Sequence, residues 1–75
     1  MASVAYVVSP EDRSWKLTHE GHRAGRFPVR DQALETAIEL AKEAHGVGHD
    51  AVVVLEDETG RVREAWRQEH GSGAA

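Results

Sequence analysis

A chain of 75 residues without a single cysteine is short for a self-sufficient core, and it has no disulfide or thiolate-metal staple to make up the difference. Thirteen acidic residues against nine basic ones leave a formal charge of -4, which opposes indiscriminate attraction to phosphate backbones, so a nucleic-acid role requires a local basic patch. With no basic leader ahead of an apolar run and no stretch of about 18 apolar residues, neither a signal peptide nor a membrane span is expected, and a cytoplasmic location is the default.

Val4 to Val8 is β-branched and aromatic and stops at the turn-formers Ser9-Pro10-Glu11-Asp12, the pattern of a strand and its turn. From Ser14 to His19 the residues alternate, with Trp15 and Leu17 to one side and Lys16 and Thr18 to the other. Such period-2 spacing predicts a half-buried strand, antiparallel to the first. Gly21 and Gly25 bracket a polar link into Arg26, Phe27 and Val29, a third short strand that Pro28 confines to an edge or a strand end.

Arg30 to His45 reads as a helix. At 100° per residue Leu34, Ala37, Ile38, Ala41 and His45 share one stripe flanked by Ala33, Leu40 and Ala44, and the opposite arc is polar throughout. Asp31 is either the N-cap or a first-turn acid facing the helix dipole, and Gly46 suits a left-handed ending. After a loop from Gly46 to Asp50, Ala51 to Leu55 is a continuous apolar run of strand length. Asp57-Glu58-Thr59-Gly60 makes a hairpin turn, and Arg61 to Arg67 returns with Val62 and Trp66 on one face and Arg61, Arg63, Ala65 and Arg67 on the other. The expected fold is therefore α+β: a small antiparallel sheet of four or five strands, order β-β-(β)-α-β-β, with one helix on one face. Residues 1–68 form the single domain, and 69–75, ending Gly71-Ser72-Gly73-Ala74-Ala75, read as a flexible tail.

Counting the coverings leads to a function. Val4 to Val8 and Ala51 to Leu55 are apolar at odd and even positions alike, so both faces of these strands ask for cover, and a single helix covers one. The surplus face is the natural place for self-association or a partner. Covering about 400 Å² of it at about 25 cal/mol per Å² is worth roughly 10 kcal/mol before association costs. The candidate interface residues are Tyr6, Val8, Trp15, Val53, Leu55 and Trp66, the tryptophans serving as anchors.

Motifs for chemistry are sparse. His19-x-x-His22 and His45-x-x-x-His49 have tolerable metal spacings but lack the glutamate or cysteine partners of known zinc patterns, so no metal and no cofactor is expected. The acidic group Asp50, Glu56, Asp57 and Glu58 lacks the calcium-loop pattern and reads as a solvated turn. Neither a nucleophile elbow nor a phosphate-binding loop occurs, and Gly46-x-Gly48 follows a helix instead of preceding one, so an enzyme is not expected. Arg61, Arg63 and Arg67, joined by Arg26 or Lys16, offer an arginine stripe for nucleic acid; the competing reading is a solvated face whose arginines pair with Glu56, Glu58 or Glu64.

Tyr6-Val7-Val8-x-Pro10, Trp15, Gly21, Phe27, Ala33-x-x-x-Ala37-x-x-x-Ala41, the valine-rich strand and Gly60-Arg61-Val62 together resemble the small bacterial family catalogued as domain of unknown function 2188, from about Tyr6 to Arg67. The chain departs from the usual form at Val29, where a Thr cap is expected, and at Glu58-Thr59, where the turn is longer. The resemblance implies a fold and a bacterial or phage origin and brings no established activity. Strands followed by Phe27 and a helix beginning near Ala33 are more loosely similar to the sheet-reading arm-binding domains of phage integrases, which implies DNA. The leading expectation is a non-enzymatic homodimer or higher oligomer, and the alternative is a sheet-based nucleic-acid binder.

Overall fold

The computed structural model describes residues 3–68, and the tail expected at 69–75 lies outside them. Six elements follow in order: β1 (Ser3–Glu11), β2 (Ser14–His19), β3 (His22–Phe27), α1 (Arg30–Gly46), β4 (Asp50–Glu56) and β5 (Val62–Gln68). All five strands join one sheet in the order β3-β2-β1-β4-β5. The α+β class and the single helix agree with the sequence reading, but the sheet is mixed, because β1 and β4 pair in parallel. The physical reason is a count of reversals. β1, β2 and β3 form an antiparallel meander; α1 then carries the chain back along the sheet, and β4 leaves in the direction of β1.

Two-residue turns join the meander. Asp12 (φ 45°) and Arg13 (φ 67°) link the pair Glu11–Ser14, and Glu20 (φ 52°) and Gly21 (φ 81°) link His19–His22. Both turns hold two successive left-handed residues, the geometry whose twist matches a hairpin. β1 thus runs past the expected stop: Pro10 pairs with Trp15 beyond the last β1–β4 pair, Val8–Leu55, and a proline is tolerated where one flank has no neighbour. β3 likewise begins at His22, and Val29, expected in a strand, is the N-cap of α1 without a side-chain cap bond. Asp31 is the first-turn acid, and the left-handed residue after the helix is Gly48 (φ 107°) instead of Gly46.

The core lies between α1 and one sheet face. Val4, Tyr6, Val8, Leu17, Ala51, Val53 and Leu55 are buried there, against Ala33, Ala37 and Ala41. The alanines form the ridge of closest approach, with Leu34, Ile38, Leu40 and Ala44 packed around them. The helix covers this face because it is the richer one: β1 and β4 place their larger apolar residues at these positions, and β2 adds Trp15 and Leu17, so more apolar surface leaves water.

Register shifts break the simple alternation on both edge strands. On β5, Trp66 pairs with Val53, but Glu64 pairs with Val54 and Arg63 with Leu55, leaving Ala65 as the extra residue. Val62 therefore opens on the face opposite Trp66 and is 59% exposed, which corrects the expectation that the two share a face. A strict alternation would have pushed the Glu64 carboxylate under the helix between them, and the bulge avoids that desolvation.

Candidate functional site

The side of the sheet turned away from α1 is built by the opposite parity. At its centre stand Ala5 and Val7 of β1 beside Val52 and Val54 of β4; Ala5 is exposed and the valines are half-buried. Thr18, Lys16 and Ser14 of β2 follow on one side, then Arg23 and Arg26 of β3. Glu64, Arg67 and Val62 of β5 stand on the other. Lys16, Arg23, Arg26 and Arg67 are matched in charge by Glu11, Asp50, Glu56 and Glu64. Arg23 donates to Glu11 Oε2 at 2.6 Å, Arg67 to Glu64 Oε2 at 2.7 Å, and Arg26 Nε to Ser14 Oγ at 2.8 Å. Ion pairs this exposed add little stability.

The candidate interface residues sit elsewhere. Tyr6, Val8, Val53 and Leu55 are buried in the core, and Trp15 and Trp66 are partly buried against it. They share strands with the open face but point to the helix, so the surface left for a partner is Ala5, Val7, Val52 and Val54. Which parity the helix would claim was a tertiary matter.

The arginine stripe also divides. Arg61 precedes β5 in the turn, where its backbone N–H donates to Asp57 Oδ1 at 3.0 Å. Arg63 pairs with Leu55 on the helix side, Arg67 with Val52 on the open side, and Arg26 stands across the sheet on β3. The Ala65 bulge separates Arg63 from Arg67. The Asp57 carboxyl, accepting from the Thr59 hydroxyl as well as the Arg61 and Thr59 N–H groups, is held below its ordinary value.

A second concavity lies on the helix side, where α1 ends. A cavity of about 440 Å³ is walled by Val4, Leu40, Ala44 and Val47 and carries Tyr6, His19, Glu20, Glu43 and His49. The register pairs Tyr6 with His19, and their rings stack with centroids 4.5 Å apart and 16° between planes. His19 Nε2 lies 3.4 Å from Glu20 Oε2 without a hydrogen bond among the described residues. Burial, then the charges of Glu43 and Glu20, push the Tyr6 phenol above its ordinary value. This site was missed in the sequence; the Tyr6 and His19 parities were readable, but nothing local brings Glu43 and His49 beside them. His22 pairs with His19 across the hairpin. Among the described residues no three His, Cys, Asp or Glu side chains gather so as to hold a metal ion, and no helix is long and apolar enough to cross a membrane.

The model of a family described as an uncharacterized protein conserved in bacteria, DUF2188, matches residues 6–67. The chain belongs to the DUF2188 family. That span opens at Tyr6 in β1 and closes at Arg67 in β5, so the DUF2188 unit takes in the open face apart from Ala5 and the cavity apart from its edge at Ser3 and Val4. No curated protein and no solved structure matches the chain.

Proposed function

We propose that this DUF2188 domain is a non-enzymatic interaction module that works as a homodimer joined through the open face of its sheet. The observation that carries the reading is the make-up of that face: Ala5, Val7, Val52 and Val54 at the centre, with basic residues concentrated on the β2–β3 side and acidic ones beyond β1. A two-fold axis parallel to the strands lays one side over the other. Lys16, level with Ser9, then meets Glu56, one step beyond the Val8–Leu55 pair, and Arg23 faces Glu64. An axis across the strands would set the side of Lys16, Arg23 and Arg26 over its own copy, so charge favours the first arrangement.

Edge-to-edge pairing is the less favoured geometry. Both outer strands carry a register shift and charged residues, Arg23 and Arg26 on β3, Arg63, Glu64 and Arg67 on β5, the devices that blunt an edge. Five strands about 4.8 Å apart and about 20 Å long present roughly 500 Å². A dimer would bury about 1,000 Å² in total, the low end for a specific interface, so a dissociation constant in the micromolar range is expected. Charge balance on the face also weighs against nucleic acid.

Light scattering across a concentration series tests this. The expected result is a dimer that Val54→Lys converts to a monomer with unchanged circular dichroism. Lys16→Glu should weaken it, and adding Glu56→Lys should restore it. A monomer up to about 1 mM would overturn the reading, and a salt-sensitive shift of DNA mobility lost in Arg67→Glu would replace it with the nucleic-acid one.

A further inference from the structure

The cavity at the end of α1 combines features that share no cause in the fold. Its walls are apolar on the helix side through Leu40, Ala44 and Val47, and Val47 is 75% exposed. Its lining includes the stacked rings of Tyr6 and His19. Glu20 reaches it from the β2–β3 turn and Glu43 from the last turns of the helix, and no Lys or Arg lines it among the described residues. Glu43 has no cationic partner among the described residues, and the ending helix adds the negative pole of its dipole. Burial is the main cause that raises the Tyr6 phenol, and the two carboxylates add to it as neighbouring negative charge.

We propose that this cavity is a binding site for a small organic cation, an alkylguanidinium or alkylammonium head on an apolar stem of about the size of an arginine or lysine side chain. The stem lies on Leu40, Ala44 and Val47; the head sits over the ring stack between Glu20 and Glu43. The volume of about 440 Å³ falls within the range of small-ligand sites. An anion would meet two carboxylates and a helix C-terminus, and a neutral amide would gain nothing from the charge of either carboxylate. The site opens on the helix side, so it is independent of the face proposed to join two copies.

The test is an amide-resolved NMR titration of the full chain with three probes: N-acetyl-arginine methylamide, its neutral isostere N-acetyl-citrulline methylamide, and hexanoate. The arginine derivative should produce saturable shifts at Tyr6, His19 and Ala44, and the other two should bind at least tenfold more weakly. Glu20→Gln with Glu43→Gln, both at exposed positions, should weaken the arginine derivative at least tenfold while leaving the remaining spectrum in place. A short peptide centred on one arginine separates the two sources of such a group: binding tenfold tighter than the capped residue identifies a partner protein's side chain, and equal binding a free metabolite. Absence of a saturable shift at about 10 mM, citrulline binding as tightly as arginine, or indifference to the double substitution would each overturn the proposal.

Discussion

Tyr6 is the one tyrosine of the chain, so its ionisation can be followed by ultraviolet absorbance without deconvolution. Burial beneath α1 and the charges of Glu43 and Glu20 disfavour the phenolate. The folded state therefore keeps the phenolic proton at a pH where the unfolded chain, at the ordinary tyrosine value of 10.0, has released it. The resulting stability is complete below that value and is lost as pH rises through it toward the folded value. The expected titration midpoint lies above 10.0, and the urea midpoint should fall as pH climbs past 10. A midpoint at or below the ordinary value would contradict the burial of Tyr6 beside Glu43 and Glu20. Much of this was latent in the sequence, since Tyr6 and His19 stand in strands of recognisable parity. The missing partners were Glu43, on the helix, and Glu20, whose left-handed turn conformation (φ 52°) no residue preference announces.

At the scale of elements, β5 shows how one residue redirects a surface. The bulge at Ala65 lets Trp66 pack inward while Val62 and Glu64 face away from the helix. Deleting Ala65 removes the extra residue. If the Asp57–Gly60 turn, held by Asp57 N–H to Arg61 C=O at 2.9 Å and Gly60 N–H to Asp57 C=O at 3.0 Å, keeps its register, Trp66 then follows Glu64 directly and strict alternation keeps it opposite Val53, beneath the helix. In a Trp15→Phe background, the deletion should leave the Trp66 emission maximum in place; a shift to longer wavelength would mean that the pairing slips at the turn and turns Trp66 outward. The sequence did contain the hint, in a glutamate between two apolar residues of the expected inward parity. On α1 the periodic stripe was legible in full, and the structure refines it: the three alanines take the centre because their small side chains let the helix approach the sheet, and the larger Leu34, Ile38 and Leu40 pack to the sides.

For the whole molecule, the core is small. Its largest fully buried side chains are Leu17, Val8 and Val53, in a chain whose total stability is expected at roughly 4 to 11 kcal/mol from its length. Leu17 stands on β2 beneath the helix, completely buried, and Leu17→Ala should cost about 2 to 5 kcal/mol, a large fraction of the whole. Urea unfolding should show the loss as a lower midpoint at unchanged slope. A change below about 1 kcal/mol would mean that the helix closes over the gap. If two copies share their open faces, the thermal midpoint of the parent chain also rises with concentration.

Element identity, the helix, the hairpin at Asp57–Gly60 and the need of two strands for cover on both faces were set by local residue chemistry: periodicity, turn-formers and β-branched runs act over a few neighbours. Placement of β4 beside β1, the parity that α1 covers, the two edge bulges and the meeting of Tyr6, His19, Glu20 and Glu43 were decided by tertiary packing. The reason is that each depends on which of two nearly equal apolar faces buries more surface against a single helix, a comparison no short segment can make for itself.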